Sequence, residues 1–166
     1  MKRLILMRHA KSDWSATGDD HERPLNARGK DSAQAMGHWL KKLGWQPDEI
    51  LCSSATRTRQ TLDLLGLGQT PTHFERALYL AEAEEIMDAL RTAKGDTVLL
   101  LGHNHGIAEC AHSIVTDWPD HPRFGDYPTC ATSLITADID TWPDLTTGIG
   151  TCVEFAIPRE VIAEGA

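Results

Sequence analysis

The chain has 166 residues, 41% of them hydrophobic, which is enough for one domain with a sizeable core and too little for two ordinary ones. Its 16 basic against 24 acidic residues leave a net charge of -8, which disfavours a nucleic-acid or anionic-membrane partner and requires any anion site to be a local cluster of cations. No apolar run approaches the roughly 20 residues of a membrane-spanning helix, and the apolar start is too short for a secretory signal, so a soluble, cytoplasmic protein is expected.

In chain order, Leu4 to Met7 form a continuous apolar run that stops at Arg8 and His9. A buried strand that delivers polar groups at its carboxyl end has this form, and in open α/β sheets that end is where ligands bind. A strand that merely stops at two polar residues would look the same. A polar loop from Lys11 to Asn26 follows, long for a compact domain and so expected to be functional or mobile. Asn26 is placed to cap a helix over residues 27–43, where Ala33, Met36, Leu40 and Leu43 recur at helical spacing and Gly44 suits the end. Residues 49–52 read as a second strand ending at Ser53 and Ser54, and a helix from about Ala55 to Leu65 then carries Arg57 in its first turn.

After a Gly- and Thr-rich turn come a short extended piece near His73 and Phe74 and a helix over residues 82–91. A third apolar strand, residues 97–101, stops at Gly102-His103-Asn104-His105-Gly106 before a helix carrying Ile107, Ala111 and Ile114. Three repeats of strand, polar tip and helix predict a three-layer α/β fold with a largely parallel central sheet flanked by helices. Residues 118–128 read as a long loop. Two further strands, 131–137 and 151–157, are expected to form a hairpin at the sheet edge. One domain over residues 1–158 is expected, with 159–166 as a fraying tail. Cys52, Cys110, Cys130 and Cys152 lie too far apart for a zinc knuckle or disulfide framework and are expected to be reduced and mostly buried.

If the three strands are parallel neighbours, Arg8, His9, Ser53, Arg57 and His103 emerge at one edge. Like charges so gathered repel, and a bound phosphoryl group would neutralise them while receiving bidentate donors. Helix amino termini near Ala55 and Asn104 add positive potential.

Four blocks in order, Leu6-Met7-Arg8-His9-Ala10-Lys11-Ser12, Arg23-Pro24-Leu25 with Gly29, Ser53-Ser54-Ala55-Thr56-Arg57-Thr58-Arg59-Gln60-Thr61 and Leu101-Gly102-His103-Asn104, resemble the histidine phosphatase superfamily. The likeness spans nearly the whole chain, and its small phosphohistidine phosphatase branch, the SixA type, is the nearest in pattern. The resemblance implies a phosphoglycerate-mutase-like fold and a phosphatase that needs neither cofactor nor metal. His9 aligns with the nucleophile that is transiently phosphorylated, Arg8 and Arg57 with the arginines that hold the phosphoryl oxygens, and His103 with the second histidine that donates to the same group. Ser53 and Asn104 are weaker candidates for positioning phosphate or backbone, and Arg23 for a rim contact that a solvated surface arginine would equally explain. The implied substrate is phosphohistidine in a protein, with a small phosphorylated molecule as the alternative.

Two departures stand out. Larger members place a glutamate after the middle strand as proton donor; here Glu75 and Glu82, with Glu84 and Glu85, are candidates that no motif distinguishes from solvated residues. Imidazole leaves more readily than an alkoxide, so a phosphoramidate substrate needs less acid assistance. His105 stands where related sequences often have proline, and a place in the first helical turn accounts for it. Among competitors, the run from Cys52 to Arg57 has the wrong spacing for a cysteine-phosphatase loop. A metallohydrolase built on His103, His105, His112 and Glu109 leaves Arg8 and Arg57 unexplained beside a cation. A phosphate-binding regulatory module without turnover remains as a reading from a different class. Oligomeric state is not legible in the sequence.

Overall fold

The computed structural model describes residues 1–165. Its central sheet has six strands in the order β3-β2-β4-β1-β5-β6, formed by β1 (Lys2–Arg8), β2 (Glu49–Ser53), β3 (Thr72–Glu75), β4 (Thr97–Gly102), β5 (Thr132–Ala137) and β6 (Gly150–Ala156). The first four are parallel to one another, while β5 runs antiparallel to β1 and forms the expected edge hairpin with β6. Five helices cover the sheet: α1 (Ala27–Lys42), α2 (Thr56–Leu65), α3 (Ala83–Leu90), α4 (Gly106–Ile114) and α5 (Pro158–Ala163).

The continuous apolar strands are explained by burial on both faces. In β1, Leu4 and Leu6 join the core on the side of α3 and α4, whereas Ile5 and Met7 join that on the side of α1, α2 and α5. Strand residues alternate between faces, so a strand covered on both sides must be apolar throughout. The Asn26 side chain accepts from the Gly29 N–H at 2.8 Å, which caps α1 as expected.

The loop over residues 11–26 carries a short 3-10 turn at Asp20–Glu22 and returns along itself through a Ser12–Leu25 bridge. It is therefore folded against the domain. Gly29 permits this packing, because a Cβ there would overlap the Lys11 backbone. The fraying tail expected after residue 158 is a correction: Pro158–Ala163 forms α5, with Val161 only 1% exposed against the α1 side of the core. Pro158 at the first helical position supplies the start signal. Ala166, the last residue of that expected tail, lies outside the described residues.

Register brings the three polar tips level. Met7 of β1 and Cys52 of β2 both pair with Leu101 of β4, so Arg8, Ser53 and Gly102 fall in line and His9 and His103 follow directly after their strands.

Candidate active site

The backbone around His9 is held from two sides. Its N–H donates to Gly102 O at 3.0 Å and its carbonyl accepts from Cys130 N at 2.9 Å. The next amide, Ala10 N, donates to Thr61 Oγ1 at 3.0 Å, and that hydroxyl donates to Arg57 O at 2.7 Å. The tip of β1 is thereby tied to the first turns of α2.

The His9 ring is buried, and its Nδ1 lies 2.7 Å from Ala10 O. A carbonyl can only accept, so Nδ1 carries the hydrogen and Nε2 keeps its lone pair. Burial holds the His9 pKa well below its usual value, and His103, Arg8 and Arg57 push the same way against the Ala10 bond. The group at this position is a neutral imidazole with one basic nitrogen.

His103 is 2% exposed, and its ring centroid lies 5.2 Å from that of His9. Burial, then the nearby Arg57, lowers its pKa to about 3. Its Nε2 lies 2.7 Å from Ser53 Oγ, and Ser53 Oγ also receives Ala55 N–H at 3.3 Å. With that amide supplying one donor, the serine hydrogen is free to point at His103 Nε2, and in that arrangement the ring hydrogen sits on Nδ1. Nδ1 is buried and has no hydrogen-bond partner among the described residues.

Arg57 is 2% exposed and doubly held by one residue: Nη1 donates to Asp20 O at 2.7 Å and Nη2 to Asp20 Oδ2 at 3.0 Å. Asp20 Oδ1 pairs with Arg23 Nη2 at 2.9 Å, and Oδ2 also accepts from the Tyr79 hydroxyl. The Tyr79 bond, followed by the Arg57 bond, keeps the Asp20 carboxyl below the usual carboxylate range. Arg23 is buried, donates to Ser12 Oγ at 2.9 Å and lies 3.5 Å over the Trp14 ring. Arg8 is half-buried and donates to Tyr127 O at 3.1 Å. Tyr127 is fully buried at φ 51°, anchored by its hydroxyl donating to Leu6 O, and its carbonyl also accepts from Asn104 Nδ2 at 3.1 Å. That strained residue thus aims one carbonyl at two residues of the site.

Together these residues line a surface pocket of about 330 Å³ that includes Arg8, His9, Asp20, Arg23, Arg57 and His103. Each of the three arginines has a buried Nε–H with no acceptor among the described residues. Burial and the proximity of Arg57 lower the pKa values of both Arg8 and Arg23. Buried donors without acceptors are costly, and an oxyanion supplies what they lack. A tetrahedral anion held by these forks would meet a neutral imidazole whose lone pair can attack its central atom.

Most of the expected residues are brought together. Arg8, His9, Arg57 and His103 converge, and Arg23 belongs to the pocket, not to the solvated surface. Asn104 lines the pocket while tethering the 126–127 backbone. Ser53 is fully buried behind His103 and lies outside the pocket lining, so the expected direct contact with phosphate is corrected, while the other expected role, holding backbone, agrees with the Ala55 N–H that its Oγ accepts. Glu75 and Glu82, expected as possible proton donors, are exposed and do not line the pocket; the Glu82 N–H instead donates to the Glu85 side chain at 3.0 Å in the cap of α3. His105 is exposed in the position preceding α4, and His112 packs against Trp118 and Phe124. Among the described residues no group of three or more His, Cys, Asp or Glu side chains could hold a metal ion, and no helix is long and apolar enough to cross a membrane.

Asp20, Tyr79 and Tyr127 were not singled out in the sequence. For Asp20 a signal existed, an acidic residue three positions before Arg23, the spacing of a local ion pair.

A family model described as the histidine phosphatase superfamily (branch 1) matches residues 4–84. An uncharacterized protein of Mycobacterium tuberculosis is 32% identical over 160 residues, covering 92% of this chain and 100% of that protein. An uncharacterized chloroplastic protein of Arabidopsis thaliana is 36% identical over 125 residues, covering 66% of this chain and 57% of its own length. A solved structure from Nakamurella multipartitia, assigned as the phosphohistidine phosphatase SixA, superposes with a TM-score of 0.83 at 26% identity, covering 95% of this chain and 96% of the other.

Proposed function

Because the chain belongs to the histidine phosphatase superfamily and is of the SixA type, with a phosphoglycerate-mutase-like fold, we propose that it is a metal-independent phosphatase working through a phosphorylated His9, with protein phosphohistidine as its substrate. The observation that carries this reading is the meeting of a neutral His9, with Nε2 unprotonated, and three buried arginine Nε–H donors that lack acceptors among the described residues.

In the first step the His9 Nε2 lone pair forms a bond to phosphorus while the bond from phosphorus to the substrate nitrogen breaks. The electron pair of that bond stays with the leaving imidazole, which takes its proton from water. Arg8, Arg57 and His103 Nδ1–H balance the charge gathering on the phosphoryl oxygens. In the second step water attacks phosphorus, the P–N bond to His9 breaks, and inorganic phosphate leaves with His9 neutral again. Glu75 and Glu82 lie outside the pocket, which suits a leaving group that needs little acid assistance. The pocket is open at the surface, with Trp14 (77% exposed) and Leu80 (53% exposed) on its rim, as a site meeting a protein surface requires.

Turnover of a phosphohistidine protein and of an aryl phosphate, with and without chelator and in His9→Ala, tests the proposal. Expected are a preference for phosphohistidine, indifference to chelator and loss of activity in the variant. Activity lost to chelator or retained without His9 would overturn the mechanism. Turnover of small phosphate esters alone would overturn the substrate assignment.

A further inference from the structure

Beside the phosphoryl pocket lies a larger cleft of about 480 Å³, which shares the wall residues Lys11 and Thr129 with it and so adjoins it. Lys11, Arg28, Arg123 and Arg159 line it against a single carboxylate, Asp31. Such a local excess of cations runs against a chain charge of -8.

Arg123 is neutralised by Asp126 at 2.9 Å. Lys11, Arg28 and Arg159 are exposed and form no ion pair among the described residues. Arg28 stands in the first turn of α1, where the helix dipole opposes a cation and no acidic residue accompanies it. Helix stability therefore does not explain it. The cleft wall also includes Pro128 and the half-exposed Ile162, which offer apolar contact between the charges.

Resting on the phosphohistidine reading above, we propose that this cleft docks an acidic segment of the phosphorylated protein, adjacent to the phosphohistidine, so that carboxylates on Lys11, Arg28 and Arg159 position the phosphoryl group over His9. Charge complementarity and the shared wall with the pocket select this occupant. The rim charges steer and orient the partner, while the apolar wall takes a hydrophobic side chain between its carboxylates.

The test uses two histidine-phosphorylated peptides that differ only in flanking residues, Asp and Glu in one and Asn and Gln in the other. It reads kcat/KM for each, and fluorescence anisotropy of their unphosphorylated forms. The acidic peptide is expected to be favoured roughly tenfold in both readouts at low salt. The preference should fall to about twofold or less at high ionic strength and in the Arg28→Glu/Arg159→Glu double variant. Turnover of an aryl phosphate, too small to reach the cleft, should be retained in that variant. Equal kcat/KM and equal affinity for the two peptides would overturn the proposal, as would a preference that survives the double variant. If neither phosphopeptide is turned over, the substrate reading fails, and the anisotropy of the unphosphorylated pair still decides whether the cleft selects acidic segments.

Discussion

Replacing Ser53 with alanine separates the tautomer of His103 from its mere presence. The Ser53 hydroxyl is fully buried and lies 2.7 Å from His103 Nε2. Its removal loses two buried hydrogen bonds, that to His103 Nε2 and that from Ala55 N–H, about 2 kcal/mol, which in a chain of this size lowers Tm by about 4–8 °C. The effect on turnover is separate from that on folding. Without the serine donor the ring is free to carry its hydrogen on Nε2, and Nδ1 then turns a lone pair toward the phosphoryl oxygens. Deleting a preorganised donor outright costs about 10²–10³ in kcat. A tautomer shift leaves a fraction of molecules competent, and a competent tenth corresponds to a roughly tenfold loss, or about 1.4 kcal/mol. Steady-state kinetics would be paired with nitrogen-15 NMR of His103, with Nδ1–H expected in the wild type and Nε2–H gaining in Ser53→Ala. A kcat within twofold of wild type, or an Nε2–H wild-type ring, would refute the reasoning.

Asp20→Asn keeps the backbone bond to Arg57 Nη1 but loses the carboxylate pairs with Arg57 and Arg23. Because Asp20 is 44% exposed, Tm should move little. Removing a negative charge beside an anion site should leave KM unchanged or lower while kcat falls several-fold from misplaced guanidiniums, and a raised KM with normal kcat would contradict this positioning role. Stability should also decline as pH falls. His9 and His103 resist protonation when folded and take protons below about pH 6.5 when unfolded, so the unfolded state binds more protons and each histidine contributes a loss of up to about 1.4 kcal/mol per pH unit. For His103 this window extends down to about 3, and the Tm difference between pH 7 and pH 5 should shrink in His103→Asn; an unchanged difference would place His103 in a solvated environment. Gly29→Ala sets a helix-propensity gain of about 1 kcal/mol against overlap with the Lys11 backbone. Overpacking costs about 1–3 kcal/mol, and because the obstacle is main chain, calorimetry should show net destabilisation; a higher Tm would mean the 11–26 loop yields freely.

The four central side chains were legible because each stands where an apolar run ends or where the helix after it begins. Arg8 and His9, Arg57, and His103 needed only a parallel sheet with β2, β4 and β1 adjacent to converge. What was not legible depended on contacts across long sequence separations. Asp20 sits among Asp19 and Glu22 in a polar loop and looks solvated until Arg57, 37 positions later, is folded onto it. Ser53 was noticed for its place at a strand tip, but only the fold shows its hydroxyl spent on His103. Tyr127 serves through its carbonyl, which no side-chain pattern signals. The glutamates beyond residue 74 could be ruled out of the pocket only once β3 and α3 had been placed. The short α5 was hidden by its length, although Pro158 marked its first turn.

The central claim is that His9 itself carries the phosphoryl group between the two chemical steps. Phosphoramidates are labile in acid, so the direct measurement is an alkaline quench during turnover of a labelled phosphohistidine protein, followed by mapping of the label by mass spectrometry. The account predicts label on His9 during turnover, none in His9→Ala, and its accumulation when hydrolysis is slowed. Full turnover with no label on the protein, or label on a residue other than His9, would contradict it.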